Sequence, residues 1–195
     1  MILFLLGLAL FLGMHAFTMM RGQRTMLVDR LGEGGYKALY AVISLIGIVL
    51  LWIGYGEYRA SGYIQVWDPP TFTRHLALLL MIPVFPLLFA AYLPGEIKRR
   101  AKHPMLLAVK IWALAHFLAN GDLGSMILFL AFLAWAVIAR IAAKRRGDTG
   151  GTVPWGANAR RNDLIAIGAG LAVYVLFAFW LHPLLIGVAV IPRSV

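Results

Sequence analysis

Apolar runs long enough to bridge a bilayer recur along this chain, separated by short polar stretches. They fall at residues 1–20, 36–55, 73–92, 103–120, 123–143 and 164–181. A helix rises about 1.5 Å per residue, so about 20 apolar residues cross the hydrocarbon core. The pattern predicts an all-α, polytopic membrane helical bundle of about six transmembrane helices. The first run lacks a basic leader and a small-residue cleavage site, so it reads as a retained helix rather than a signal peptide. Gly47 and Gly54 in the second run are expected to be points of close helix packing. Pro83 and Pro86 should kink the third run and free carbonyls that need other partners. Stretches 21–35, 56–71 and 144–163 read as loops, the second ending in Asp68-Pro69-Pro70, with Tyr63 and Trp67 suited to a membrane–water interface. Asn120-Gly121-Asp122 is a tight corner. His182-Pro183 is expected to end the sixth run, leaving an apolar tail too short to cross again.

Composition agrees with a membrane protein. The chain is 62% hydrophobic and 13% charged, where soluble domains carry about 25% charged residues. One transmembrane domain over residues 1–195 uses up the length, and no internal repeat is evident. Cysteine is absent, which removes disulfides, thiolate metal sites and cysteine catalysis.

The net charge of +10 is not a nucleic-acid signature, because the cations sit between apolar runs, where they set topology and meet anionic lipid. The first, third and fifth connections, with their flanks, hold Arg21, Arg24, Arg30, Lys37, Lys98, Arg99, Arg100, Lys102, Arg140, Lys144, Arg145, Arg146, Arg160 and Arg161. The other side holds Arg59, Arg74 and Arg193. That is 14 against 3, which predicts odd connections in the cytoplasm and both termini, the N-terminus included, outside.

Orientation then sorts the five histidines by depth. His15 lies roughly 7 Å from the inner end of its run. His103 opens the fourth run on that same inner side. His116 is 13 residues further along, roughly 20 Å away, and joins His75 and His182 in an outer tier. His103 and His116 therefore cannot share one metal. An inner two-histidine site needs His15 facing His103, and neutral imidazoles on facing helices suit a haem iron with two axial ligands. Its propionates would need cations at the inner rim, with Arg21, Lys102 and Lys110 as candidates.

Plainer roles stand beside these. His103 can be an interfacial residue before a first-turn proline, and Lys110 can extend to the headgroups. His75 and His182 suit a helix end or the interface. Asn120 and Asp122 can simply cap the corner, or Asn120 can be oriented by His116. His15 and His116 differ, because an ionisable residue inside an apolar run is partnered or functional by default.

His103-Pro104, Trp112, Ala115-His116 and Asn120-Gly121-Asp122 together resemble the NnrU family of membrane proteins. Gly13, His15 and Arg21 agree, as do Arg30-Leu31-Gly32-Glu33, Tyr36 to Tyr40, Gly54-Tyr55 and Trp67. The resemblance covers most of the chain. It implies a multi-pass protein of the bacterial inner (cytoplasmic) membrane. Relatives include proteins associated with denitrification and the 15-cis-ζ-carotene isomerase, a haem b enzyme with histidine axial ligands that acts when its iron is reduced. The ligands this implies here are His15 and His103. The function implied is a haem-dependent cis–trans isomerase of a hydrophobic small molecule, or a factor supporting nitrite or nitric oxide respiration.

Two other classes compete. A basic run before His-Pro also looks like the isoprenylcysteine methyltransferase pattern, but the following segment here is Gly-rich and basic, with only Asp148 and Asp163. A transporter or non-catalytic assembly factor would suit the proline-kinked run and the intramembrane His and Lys residues.

Overall fold

The computed structural model describes residues 1–150 and 158–190. The fold is all-helical, and no strand forms among the described residues. The helices are α1 (Ile2–Phe17), α2 (Arg21–Ala60), α3 (Thr71–Met81), α4 (Val84–Tyr92), α5 (Glu96–Ala101), α6 (Pro104–Ala119), α7 (Leu123–Arg145) and α8 (Ala159–Leu176). A π-helical turn, Phe177–Leu181, leads from α8 into α9 (His182–Ile186). Arg21–Ala60, Thr71–Tyr92, Leu123–Arg145 and Ala159–Ile186 are long and apolar enough to cross a membrane; Ile2–Phe17 and Pro104–Ala119 are apolar but shorter. Ile2, Trp52, Leu79 and Leu184, on four of these helices, are exposed, as helices facing lipid require. This is a membrane-spanning helical protein.

The helices outrun the apolar runs in several places. Residues 21–31 are helical rather than a loop, and the break comes at Gly32, at φ 71° and ψ 164°. Residues 56–60 continue α2, and 159–163 open α8. Charged and polar residues end the apolar pattern at the bilayer boundary, but most of them are good helix formers and do not end the helix. The sixth run also continues through His182-Pro183 to Ile186 and stops at Gly187, which is left-handed with φ 75°. The π turn before it widens the helix, with His182 N–H bonding five residues back to Phe177. Such a turn relieves the clash that proline makes with the carbonyl of the preceding turn. The end of the apolar tail lies outside the described residues.

The chain forms two compact units. The first comprises Met1–Pro69 and His116–Ala142, the second Pro70–Ala115 and Ala143–Val195. In the first, α1 packs on α2 through glycines, as expected for Gly47 and Gly54. A methyl group at Gly54 would strike the backbone of Phe4, one at Gly47 the backbone of Phe11, and one at Gly7 the backbone of Leu51. Such close approach is how helices associate where no hydrophobic force drives them together.

The linker after α2 docks on the corner before α7. Val66 and Trp67 N–H donate to the Gly121 carbonyl (2.8 and 3.2 Å), and Leu123 N–H donates to Ile64 (2.9 Å). Tyr58, 3% exposed, accepts at its hydroxyl from Ile64 N–H (3.1 Å) and Gly124 N–H (3.0 Å). Asp122 caps α7 by accepting from Ser125 N–H. Tyr58→Phe leaves two backbone donors without an acceptor. It should destabilise the solubilised protein by about 2 kcal/mol, read as a lower thermal midpoint at unchanged helicity.

In the second unit the expected kink falls at Ile82-Pro83, between α3 and α4. Ile82 N–H bonds to Leu79 rather than Leu78, and the released Leu78 carbonyl accepts from the Tyr174 hydroxyl of α8 at 3.0 Å. Pro86 lies in the first turn of α4, where its missing N–H leaves no gap. Its backbone seats Gly170, where any side chain would collide. Val84, Leu87 and Ala108 form the core, covered by Ile97, Ile111 and Trp112. Asp163 holds α5 by its start, accepting from the N–H groups of Glu96 (2.8 Å) and Ile97 (3.2 Å).

Candidate functional site

His15 sits two turns after Gly7, on a helix with no other titratable side chain. Its Nδ1 is 2.7 Å from the Phe11 carbonyl. A carbonyl only accepts, so Nδ1 carries the hydrogen and the neutral ring keeps its lone pair on Nε2. The ring is enclosed by aromatic groups from three helices. Phe11 lies at 4.2 Å, Tyr40 of α2 at 5.4 Å and Trp135 of α7 edge-on at 5.7 Å. Trp135 Nε1 is buried without a hydrogen-bond partner. A groove of about 320 Å³ runs beside this cluster, lined by Leu12, Gly13, Ala16, Met19, Ala131, Ala134, Trp135 and Ile138. An imidazole whose Nδ1–H is fixed by a carbonyl, with Nε2 available and apolar walls around it, is how proteins present a histidine to a metal.

His103 is arranged differently. Its carbonyl accepts from Leu107 N–H, so it stands just before α6 with Pro104 at the first helical position. Its Nε2 lies 3.0 Å from the Asp148 carbonyl and 3.8 Å from the Asp148 carboxylate. Here the carbonyl places the hydrogen on Nε2. Lys102, beside it, is the non-glycine residue held at positive φ, 62°, and its carbonyl abuts Gly150 so closely that no side chain could be added there. His103 is thus one member of a tight junction between α5, α6 and residues 148–150.

Arg21 is exposed at the start of α2, Lys102 is exposed and Lys110 is half-buried on α6. In the outer tier, His116 stacks on Phe129 at 4.9 Å. Asn120 donates from its side chain to the His116 backbone carbonyl at 2.8 Å. His75 is exposed on α3. Among the described residues no group of three or more His, Asp or Glu side chains is placed to hold a metal ion.

A match to the family model for NnrU protein covers residues 3–190 of the 195. The chain belongs to the NnrU family. No protein of curated function and no solved structure matches it. In this NnrU chain, then, the residues that surround His15 are read from geometry. Tyr40, Trp135, Tyr36 and Arg24 were not singled out as site residues from the sequence. Tyr36 and Tyr40, four apart at the start of an apolar run, do share a helix face, but nothing in the linear pattern brings Trp135 to them.

Proposed function

We propose that this NnrU-family chain is a haem b protein of the bacterial cytoplasmic membrane, crossing it six times with the N-terminus outside. The observation that carries the reading is the state of His15, with Nδ1–H held by Phe11, Nε2 available and apolar aromatic walls around the ring. His15 is the anchoring ligand. His103 is the second, exchangeable ligand, since its Nε2 must leave the Asp148 carbonyl to serve. Bound haem would supply one-electron redox chemistry, suited to cis–trans isomerisation of a hydrophobic polyene or to a role in nitrogen-oxide respiration. His15 and His103 would hold the group by their imidazole nitrogens, the groove beside Trp135 would supply apolar walls, and cations would meet its carboxylates. The test is a reduced-minus-oxidised absorption spectrum of protein solubilised from haem-replete cells. A Soret band and a sharp ferrous α-band are expected. A colourless protein overturns the proposal.

A further inference from the structure

The helical arm before Gly32 does something the apolar pattern gave no hint of. Arg24 and Tyr36 are 12 residues apart, which along a straight helix would be roughly 18 Å. The break at Gly32 instead brings the Arg24 guanidinium over the Tyr36 ring, 5.3 Å from its centroid. The fold-back creates a notch of about 210 Å³ lined by Thr18, Arg24, Tyr36, Lys37 and Tyr40. Two cations, Arg24 and Lys37, line it, and the Thr18 hydroxyl there donates to the His15 carbonyl at 2.7 Å. Tyr36 is 4% exposed, and its hydroxyl is buried with no hydrogen-bond partner, a state that costs stability unless a ligand relieves it. Tyr40 is shared with the His15 cluster, so the notch adjoins the candidate site. One carboxylate is already present: Glu33 pairs with Lys37 at 2.8 Å, both exposed.

We infer that this notch is an oxyanion site, binding the carboxylate or phosphate of a membrane-embedded amphiphile between Arg24 and Lys37 in competition with Glu33. Cations beside a rigid aromatic wall favour an anion that carries an apolar body, since the headgroup meets charge while the rest stays in apolar surroundings. The carboxylate source, the haem propionates, rests on the haem reading. The phosphate source, an anionic phospholipid, does not.

The experiment uses full-length protein from haem-deficient cells, as wild type, Arg24→Gln/Lys37→Gln, the charge-keeping Arg24→Lys/Lys37→Arg, and Glu33→Gln. Haem and haem dimethyl ester are titrated by absorbance. Retention of phosphatidylglycerol from mixed phosphatidylcholine–phosphatidylglycerol nanodiscs is read by native mass spectrometry. The double glutamine variant should weaken one anionic ligand by about tenfold while sparing haem dimethyl ester. The charge-keeping variant should hold within about threefold of wild type, and Glu33→Gln should bind no more weakly than wild type. Selective loss of haem identifies the carboxylate source. Selective loss of phosphatidylglycerol from a protein that takes up no haem upholds the notch and removes the haem reading. Unchanged affinity for both ligands, equal loss of haem and its ester, or weaker binding in Glu33→Gln overturns the proposal. Circular dichroism of each variant confirms that it has folded.

Discussion

Replacing His15 with alanine is expected to leave the purified protein colourless, while His103→Ala remains pigmented with an altered spectrum. The asymmetry follows from two hydrogen bonds. Phe11 holds His15 by Nδ1, which leaves Nε2 free to ligate without any rearrangement. Asp148 engages His103 by Nε2, so that nitrogen must first be released. Fixing a ligand's second nitrogen alone changes metal affinity by about 10–100-fold, and losing the anchoring ligand should cost at least as much. His15→Ala should therefore reduce haem occupancy more than about tenfold. His103→Ala should shift the Soret band as the coordination number falls, at near-normal occupancy. His75→Ala, on an exposed position of α3, serves as the unaffected control. Equal pigment in His15→Ala and wild type would remove His15 from the site.

The second large effect is expected from Gly47→Val, which touches no ligand. A Cβ at Gly47 would lie 2.7 Å from the Phe11 backbone nitrogen, 3.0 Å from its Cα and 3.1 Å from its Cβ. The first atoms met are backbone, which cannot rotate away, so α1 must shift against α2. Overpacking of this kind costs about 1–3 kcal/mol. Phe11 also supplies both the carbonyl that orients His15 and the ring stacked on it, so the same shift disturbs the site. Gly47→Val should lower the thermal midpoint by several degrees and reduce haem occupancy in the fraction that stays folded. Gly168→Ala is the matched control, because a Cβ there meets nothing within 4 Å and alanine is the better helix former. If both variants melt alike, helix propensity rather than the α1–α2 seam decides the outcome.

Tyr174 offers a smaller instance of the same coupling between sequence pattern and packing. Pro83 made a displaced carbonyl certain, because proline cannot donate and its ring crowds the preceding turn. That α8 would supply the hydroxyl answering Leu78 was not visible, since the two residues lie 96 positions apart. Asp163, likewise, reads from the sequence as a loop carboxylate, yet it closes the start of α5.

By itself the sequence determined the class of molecule, the apolar runs, the kink at Pro83, the tight glycines and the placing of His15 inside an apolar run. These follow from one-dimensional physics: hydrocarbon thickness sets run length, proline and glycine act on the local backbone, and an ionisable group in an apolar run needs a partner. Helix ends were misjudged at Arg21, Ala60, Ala159 and His182 because hydropathy stops at the membrane surface and helical hydrogen bonding does not. Only the tertiary structure decided which nitrogen of His15 and of His103 is engaged, and that Trp135 and Tyr40 enclose His15. Only it decided that Gly32 folds Arg24 back onto Tyr36. Each of these depends on a backbone atom or ring brought in from another helix, or from beyond a break, at a separation that no periodicity encodes.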